Sequence, residues 1–176
     1  DIYQNYPNSK GVNAIFLYPL NALIGSQKKR MHAWCEALRG HVKYAVYNGN
    51  TPESVTNNIQ NQALPEIISR QGIRQNTPQI LFTNPTMLEY MLVRDKDTEL
   101  LRNSKGKLRW ILLDEAHTLV GSKAAEMALL IRRVIEAFEV DLQDVRFAVT
   151  SATVGDGNDE AIKKFMADLC GISQHQ

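Results

Sequence analysis

Short apolar runs alternate with longer segments in which apolar residues return every three or four positions. The apolar runs cover residues 12–18, 42–47, 79–83, 110–113 and 147–150. Runs of this length and composition predict strands that are buried on both faces, as in a parallel sheet. The chain therefore contains at least a sheet core, which the intervening segments must cover.

The intervening segments predict helices. Helical periodicity covers residues 20–38, 86–93, 122–138 and 159–169. The stretch 52–71 is also predicted to be helical, although it is polar and Pro65 interrupts it; Thr51 has the character of an N-cap and Pro52 suits the first helical position. Residues 48–50, Asn-Gly-Asn, have the composition of a turn.

Within the first long helix, Lys28 to Arg30 form a basic cluster that we interpret as a solvated face, with a nucleic-acid contact as the alternative. Trp34 and Trp110 are predicted to be core residues. Strands that alternate with helices in this rhythm imply βαβ units and a doubly wound α/β fold with helices on both faces. Ligands bind such sheets at the carboxyl ends of the strands.

Composition narrows the function classes. The 176 residues are 44% hydrophobic and 22% charged with a net charge of +1, so no global basic field marks a nucleic-acid binder. Cys35 and Cys170 lie far apart and outside any zinc-ligand spacing. No apolar run approaches the roughly 18 residues of a membrane span. We therefore expect a soluble, cytoplasmic protein without a membrane partner. Because the chain starts with Asp1 and soon enters a strand, we also expect it to be part of a longer chain.

Two polar motifs follow predicted strands. The strand 110–113 leads directly into Asp-Glu-Ala-His at 114–117, and the strand 147–150 leads into Ser-Ala-Thr at 151–153. Adjacent carboxylates at a strand end suit phosphoryl transfer, because one can hold Mg²⁺ while the other polarises an attacking water. Taken singly, each motif also fits a helix cap, and that alternative remains open for either motif on its own.

The order and separation of these motifs resemble motifs II and III of DEAH-type superfamily 2 helicases. Residues 18–23 with Gln27 resemble motif Ia, and residues 83–88 resemble motif Ib of DNA helicases of the large helicase-related type. The turn at 47–52 and the stretch 117–121 are also similar to that branch. The resemblance covers about residues 12–170. It implies a RecA-like P-loop NTPase fold, a three-layer doubly wound parallel sheet, and the cofactors ATP and Mg²⁺.

The resemblance also implies roles for particular residues. Asp114 would hold magnesium, Glu115 would act on the attacking water, and both would belong to the nucleotide site. The residues that would couple hydrolysis to strand movement are His117, Ser151 and Thr153. The residues that would lie along the nucleic-acid backbone are Leu20, Asn21, Thr83, Asn84 and Thr86. Asn21, Asn48 and Asn50 depart from the residues that many relatives carry, which leaves the strand contacts less defined.

The sequence contains no GxxxxGK followed by Ser or Thr, the loop that cradles nucleotide phosphates. We therefore expect residues 1–176 to be a partial first RecA-like domain, inactive alone, whose parent couples ATP hydrolysis to movement along DNA rather than RNA. The expected partner within the parent is a second RecA-like domain. The alternative is a catalytically inactive helicase-like domain that binds nucleic acid or protein, although the intact Asp-Glu-Ala-His sequence counts against it.

Overall fold

A computed structural model describes residues 1–6, 9–19, 21–150 and 159–171, without the side chains of residues 21–23, 26 and 159–163. The strands are β1 (Ala14–Leu17), β2 (Tyr44–Tyr47), β3 (Glu66–Ile67), β4 (Ile80–Thr83), β5 (Trp110–Leu113) and β6 (Arg146–Val149). The helices are α1 (Ile2–Asn5), α2 (Asn21–Ala37), α3 (Asn57–Ala63), α4 (Arg70–Gln75), α5 (Pro85–Val93), α6 (Thr98–Ser104), α7 (Ser122–Ala137) and α8 (Asp159–Cys170). Short 3₁₀ turns lie at Asp95–Asp97, Ala116–Thr118 and Leu142–Asp144.

The strands form one sheet in the order β3-β2-β4-β1-β5-β6, and every strand pair is parallel. The predicted doubly wound parallel sheet is confirmed. Leu17 at the end of β1 pairs with Thr83 of β4 and with Leu113 of β5, and Leu113 pairs with Val149 of β6. Because these strands end in register, the residues that follow them meet along one edge of the sheet.

Two apolar cores lie on opposite faces of the sheet, because side chains alternate along each strand. Ile15 and Leu17 of β1 belong to the core that α5 and α7 cover, together with Met87 and Leu130. Ala14 and Phe16 of the same strand belong to the smaller core that α2 covers. The side chains that α2 contributes there are Ile24, Met31 and Cys35. The arrangement has three layers, helix, sheet and helix.

The stretch 52–71 differs from its prediction. The sequence predicts a helical stretch that Pro65 interrupts, but α3 begins only at Asn57, and β3, next to Pro65, separates it from α4. Thr51 does not cap a helix, because its hydroxyl donates to the carbonyl of Val46 at 2.9 Å and accepts from the N–H of Asn48 at 2.9 Å. The Thr51 side chain therefore closes the turn, and the chain continues irregularly before α3.

Trp34 was predicted to be a core residue, and this prediction is wrong. The side chain is 59% exposed, because the buried stripe of α2 runs through Met31 and Cys35 and Trp34 lies beside it. Trp110 is half-buried, and its indole N–H donates to the Asp1 carboxylate at 2.8 Å. In the described residues, none of the helices is long and apolar enough to cross a membrane.

Candidate functional site at the carboxyl edge of the sheet

Asp114 is the first residue after β5. Its N–H donates to the carbonyl of Leu17 at 3.0 Å, which continues the β1–β5 ladder by one residue. Its carboxylate accepts a hydrogen bond from the hydroxyl of Thr150, the first residue after β6. The N–H of Thr150 in turn donates to the carbonyl of Leu113 at 2.9 Å. Three neighbouring strands thus fix this carboxylate at the sheet edge.

Glu115 adopts the left-handed backbone conformation, with φ 55° and ψ 42°. This conformation is uncommon for a residue other than glycine and often marks functional sites. The carbonyl of Glu115 accepts from the N–H and the hydroxyl of Thr118 at 2.9 and 2.8 Å, and the N–H of Ala116 donates to the carbonyl of Thr150. These bonds hold the tight turn that separates the Glu115 carboxylate from the Asp114 carboxylate.

His117 lies within the 3₁₀ turn that follows. Its Nε2 is 3.3 Å from Oε2 of Glu115. The structure thus places His117 beside the Glu115 carboxylate, and the predicted coupling role of His117 stays a prediction. Ser151 and Thr153 lie outside the described residues, so their predicted coupling role stays a prediction. Thr150, which sequence reasoning had placed only in a strand, is the hydroxyl that contacts Asp114.

A cavity of about 390 Å³ opens beside Asp114 on the α2 face of the sheet. We call it the α2 cavity. Its lining consists of Phe16, Tyr18, Gln27, Arg30, Met31, Trp34, Phe82, Leu112, Leu113, Asp114, Ala148 and Thr150. Burial, and then the negative charge of Asp114, raise the pKa of Tyr18 to about 12. Tyr18 therefore remains a neutral hydroxyl near Asp114 at physiological pH.

A larger groove of about 1220 Å³ lies on the other face, between α5 and α7. We call it the α5–α7 groove. Its lining includes Pro19, Gly49, Asn84, Thr86, Tyr90, Glu115, Thr118, Lys123 and Glu126. Glu115 therefore borders this groove, whereas Asp114 borders the α2 cavity. Asp114 also lines a smaller pocket with Pro85, Thr118 and Leu119, which line the groove as well, so the two adjacent acids lie between the two spaces.

Asn84 forms the N-cap of α5. Its Oδ1 accepts from the N–H of Met87 at 2.8 Å, and Pro85 occupies the first helical position. Thr86 in the first turn is exposed. The start of α5 thus presents polar groups and the positive end of a helix dipole to the groove, an arrangement that favours anions.

Thr83 is only 1% exposed, and its hydroxyl donates to the carbonyl of Tyr47 at 2.8 Å. It therefore joins β4 to β2 beneath the groove rather than lying on the groove surface. Leu20 lies outside the described residues, and Asn21 begins α2 without a described side chain. Their predicted nucleic-acid contacts stay predictions.

The basic cluster in α2 does not line the α5–α7 groove. Lys28 forms a salt bridge with Glu66 of β3 at 2.9 Å, and Arg30 lines the α2 cavity with Gln27. Within the described part of the chain, this placement does not support an extension of the nucleic-acid track along α2. The groove itself carries charges of both signs, since Lys123 and Glu126 both line it.

Comparisons with known proteins agree with this geometry. The family model described as DEAD/DEAH box helicase matches residues 2–161. The Druantia protein DruE of Escherichia coli is 35% identical over 115 residues, which cover 61% of this chain and 6% of that protein. The uncharacterized ATP-dependent helicase YprA of Bacillus subtilis is 26% identical over 155 residues, 87% of this chain and 18% of that protein.

Among solved structures, the DUF1998 helicase MrfA bound to DNA and AMPPNP superposes with a TM-score of 0.64 at 25% identity. That match covers 97% of this chain and 20% of the MrfA chain. The chain therefore spans a small part of the length of each of these proteins.

Proposed function

This chain belongs to the DEAD/DEAH box helicase family, and we propose that it is the greater part of the first motor domain of an ATP-dependent DNA helicase or translocase. The observation that carries the proposal is the position of the adjacent acids at the sheet edge, where Asp114 borders the α2 cavity and Glu115 borders the α5–α7 groove. A helicase motor must connect its nucleotide site to the surface that binds the nucleic-acid strand. Asp114 and Glu115, which are adjacent in the chain, provide a short connection between the α2 cavity and the α5–α7 groove.

On the nucleotide side, Asp114 and Glu115 fit a magnesium–nucleotide complex. In the described residues no cluster of three or more histidine, cysteine or acidic side chains could form a cage for a metal ion. Mg²⁺ suits such a site, because it keeps several waters and binds proteins through one or two carboxylates. When bound, it neutralises charge on the phosphates. Asp114, oriented by the Thr150 hydroxyl, would hold it.

Glu115 would orient and polarise the water that attacks the γ-phosphate. Its contact with His117 at 3.3 Å supports a role for His117 in passing the state of this carboxylate to the groove. Ser151 and Thr153 would take part in the same coupling. Hydrolysis would thus change the turn at residues 114–118, which borders the α5–α7 groove through Glu115 and Thr118.

On the nucleic-acid side, Asn84 and Thr86 would contact backbone phosphates at the start of α5. Leu20 and Asn21 would extend the track from the end of β1. For Thr83 we propose a supporting role, since its buried hydroxyl bonds to the Tyr47 carbonyl. Contacts of this kind position a strand without reading its sequence. The similarity to MrfA, whose structure is bound to DNA and AMPPNP, supports DNA and ATP as ligands.

The nucleotide site requires groups that these 176 residues do not contain. The sequence has no P-loop, and in the described residues no strand pairs with the outer edge of β6. The half-buried β6 and the apolar α2 cavity beside it suit one further strand and helix carrying the phosphate loop. We propose that the parent protein supplies this segment and a second RecA-like domain, and that the 176 residues alone do not hydrolyse ATP.

The proposal is tested by DNA-stimulated ATPase activity of the full-length parent and its Glu115→Gln variant. We expect the variant to lose at least about 10²-fold in turnover, as is typical when a general base is removed. Its affinity for single-stranded DNA should remain within about twofold of wild type, because the fold and the groove are kept. Wild-type protein that binds DNA without stimulated turnover would instead identify a nucleic-acid-binding module.

A further inference from the structure

The turn at residues 48–51 is closed by its own polar atoms. The N–H of Asn48 donates to Oγ1 of Thr51 at 2.9 Å, and the N–H of Thr51 donates to the carbonyl of Asn48 at 3.2 Å. The N–H of Asn50 donates to Oδ1 of Asn48 at 2.9 Å. The fourth amide, that of Gly49, has no acceptor among the described residues. Gly49 also lines the α5–α7 groove.

Arg70, the first residue of α4, holds this turn from behind. Its Nε donates to the carbonyl of Thr51 at 2.8 Å, and its Nη2 donates to the carbonyls of Asn48 and Gly49 at 3.1 and 3.3 Å. The backbone N–H of Arg70 donates to the carbonyl of Pro52 at 2.9 Å. One side chain therefore engages three of the four carbonyls in the turn through two nitrogens of a rigid planar fork, a geometry that the single nitrogen of an ammonium group does not reproduce.

The planarity of the peptide bond converts these contacts into an orientation. In a trans peptide the C=O and the following N–H point in opposite directions. Because the Asn48 carbonyl points toward Arg70, the N–H of Gly49 points away from Arg70. Gly49 lines the groove, so this free donor is available to a strand that passes over the start of α5.

The position of α4 is itself fixed by a buried ion pair. Nε of Arg74 is 2.8 Å from Oδ1 of Asp97, which is fully buried, and the hydroxyl of Tyr47 donates to the same oxygen at 2.6 Å. A second contact joins Arg74 to Glu53 at 2.6 Å. Arg70 therefore acts from a helix that is tied to the end of β2, the strand that leads into the turn.

We propose that Arg70 is a positioning residue for nucleic-acid binding, which fixes the 48–49 peptide so that the Gly49 N–H donates to a phosphate of the bound strand. This inference rests on the proposed nucleic-acid role of the α5–α7 groove. In this proposal Arg70 does not contact the phosphate itself, since its Nε and Nη2 donate to turn carbonyls and it is not part of the described groove lining.

The test uses the full-length parent and the variant Arg70→Lys, with Arg102→Lys as the matched control. Arg102 is an exposed arginine of α6 whose side chain is 70% exposed. Arg70→Lys is expected to weaken single-stranded DNA binding by about tenfold, the effect of losing one hydrogen bond to a charged group. Arg102→Lys is expected to leave binding within about twofold.

Salt dependence separates positioning from direct contact. A cation that neutralises a phosphate contributes a slope of about −0.7 to the plot of log affinity against log salt for single strands. A neutral backbone N–H releases no counterion. We therefore expect the neutral variant Arg70→Gln, which would remove one cation from a direct phosphate contact, to lower affinity with the slope unchanged. A slope that becomes shallower by about 0.7 would overturn the positioning role in favour of a direct phosphate contact.

A second pair of variants acts on the turn while Arg70 stays in place. Gly49→Pro removes the amide hydrogen, fixes φ at about −65° and restricts Asn48, whereas Gly49→Ala keeps the hydrogen; a Cβ at this position meets nothing within 4 Å. We expect the proline variant to bind about tenfold more weakly than the alanine variant, because only the alanine variant keeps the donor hydrogen. The combination of Arg70→Lys with Gly49→Pro should be no weaker than Gly49→Pro alone, since both act through one N–H.

The outcomes are distinct. If wild-type parent binds DNA and Arg70→Lys binds equally well, or if the two changes are additive, Arg70 does not act through the Gly49 amide. If wild-type parent binds no DNA under any salt condition, the proposed function fails first. The inference is supported if DNA affinity falls in the Arg70 and Gly49→Pro variants alone and the salt slope stays unchanged.

Discussion

The two sides of the sheet edge differ in how completely this chain builds them. On the nucleic-acid side, the turn at 48–51, Arg70 and the N-cap of Asn84 are held by hydrogen bonds within the chain. On the nucleotide side, Asp114 has the Thr150 hydroxyl as its partner, and the outer edge of β6 is unpaired in the described residues. The proposed strand track is therefore preorganised, whereas the proposed nucleotide site would depend on groups from elsewhere in the parent.

The largest expected effect concerns the buried pair that supports the preorganised side. Asp97→Ala leaves the Arg74 guanidinium, 11% exposed, without its main partner. Breaking such a pair costs roughly 3–5 kcal/mol. Chemical denaturation of the parent should show this loss, whereas Asp95→Ala, an exposed acidic residue of the same 3₁₀ turn, should change stability by less than about 0.5 kcal/mol. Equal losses of stability in Asp97→Ala and Asp95→Ala would contradict a special role for the buried pair.

Changes at the proposed nucleotide site should lower ATP turnover and leave DNA binding unchanged. Asp114→Asn keeps an acceptor for Thr150 but removes the charge that would hold magnesium. We expect DNA-stimulated ATP turnover of the parent to fall at least about 10²-fold, because a bound metal stabilises the charge of the transition state by several kcal/mol. A magnesium titration should show a higher half-saturating concentration. Asp144→Asn, an exposed residue before β6, is the control, and a similar loss there would point to a general effect of charge.

Trp34 tests whether another segment of the parent covers the α2 cavity. The side chain is 59% exposed in this chain. If a further helix packs there, Trp34→Ala should destabilise the parent by about 1–3 kcal/mol through lost apolar burial. Leu129→Ala, at a residue of α7 that is 57% exposed, serves as the comparison and should cost less than about 0.5 kcal/mol. A Trp34 variant as stable as the Leu129 variant would argue against a covering helix.

The smallest effect concerns the cap of α5, where stability and binding can be separated. Asn84→Ala removes the acceptor for the Met87 N–H and should cost about 1 kcal/mol. Asn84→Asp keeps the cap but places a negative charge at the groove, so stability should hold while DNA affinity falls about tenfold at low salt. Calorimetry together with DNA titration measures both. If Asn84→Asp binds DNA as well as wild type, the DNA strand does not pass over the start of α5.

Much of the fold was predictable because the decisive patterns are local. The apolar run 110–113 followed by two acids gave β5 and the site turn directly, and the strand ends proved to be in register. The two-residue strand β3 carries no local signal, since its pairing with β2 is made across the sheet. Trp34 was assigned to the core wrongly because helical periodicity locates the buried stripe of a helix but does not show where the stripe ends.

The site was predictable in part for a similar reason. Asp114 and Glu115 stand out as adjacent acids at a strand end, but the sequence does not show that they lie between the α2 cavity and the α5–α7 groove. Thr83 was expected to lie along the nucleic-acid backbone, yet its hydroxyl is buried against the Tyr47 carbonyl. Arg70 is separated from its turn by two elements, and only the tertiary structure brings its guanidinium to the three carbonyls.

The most direct test of the account is strand displacement by the full-length parent on a DNA duplex with a single-stranded tail. The account predicts displacement with ATP and Mg²⁺, none with AMP-PNP, and none for Glu115→Gln despite normal DNA binding. Displacement that is equally fast with AMP-PNP, or that survives Glu115→Gln unchanged, would contradict a motor in which hydrolysis at this carboxylate drives the strand.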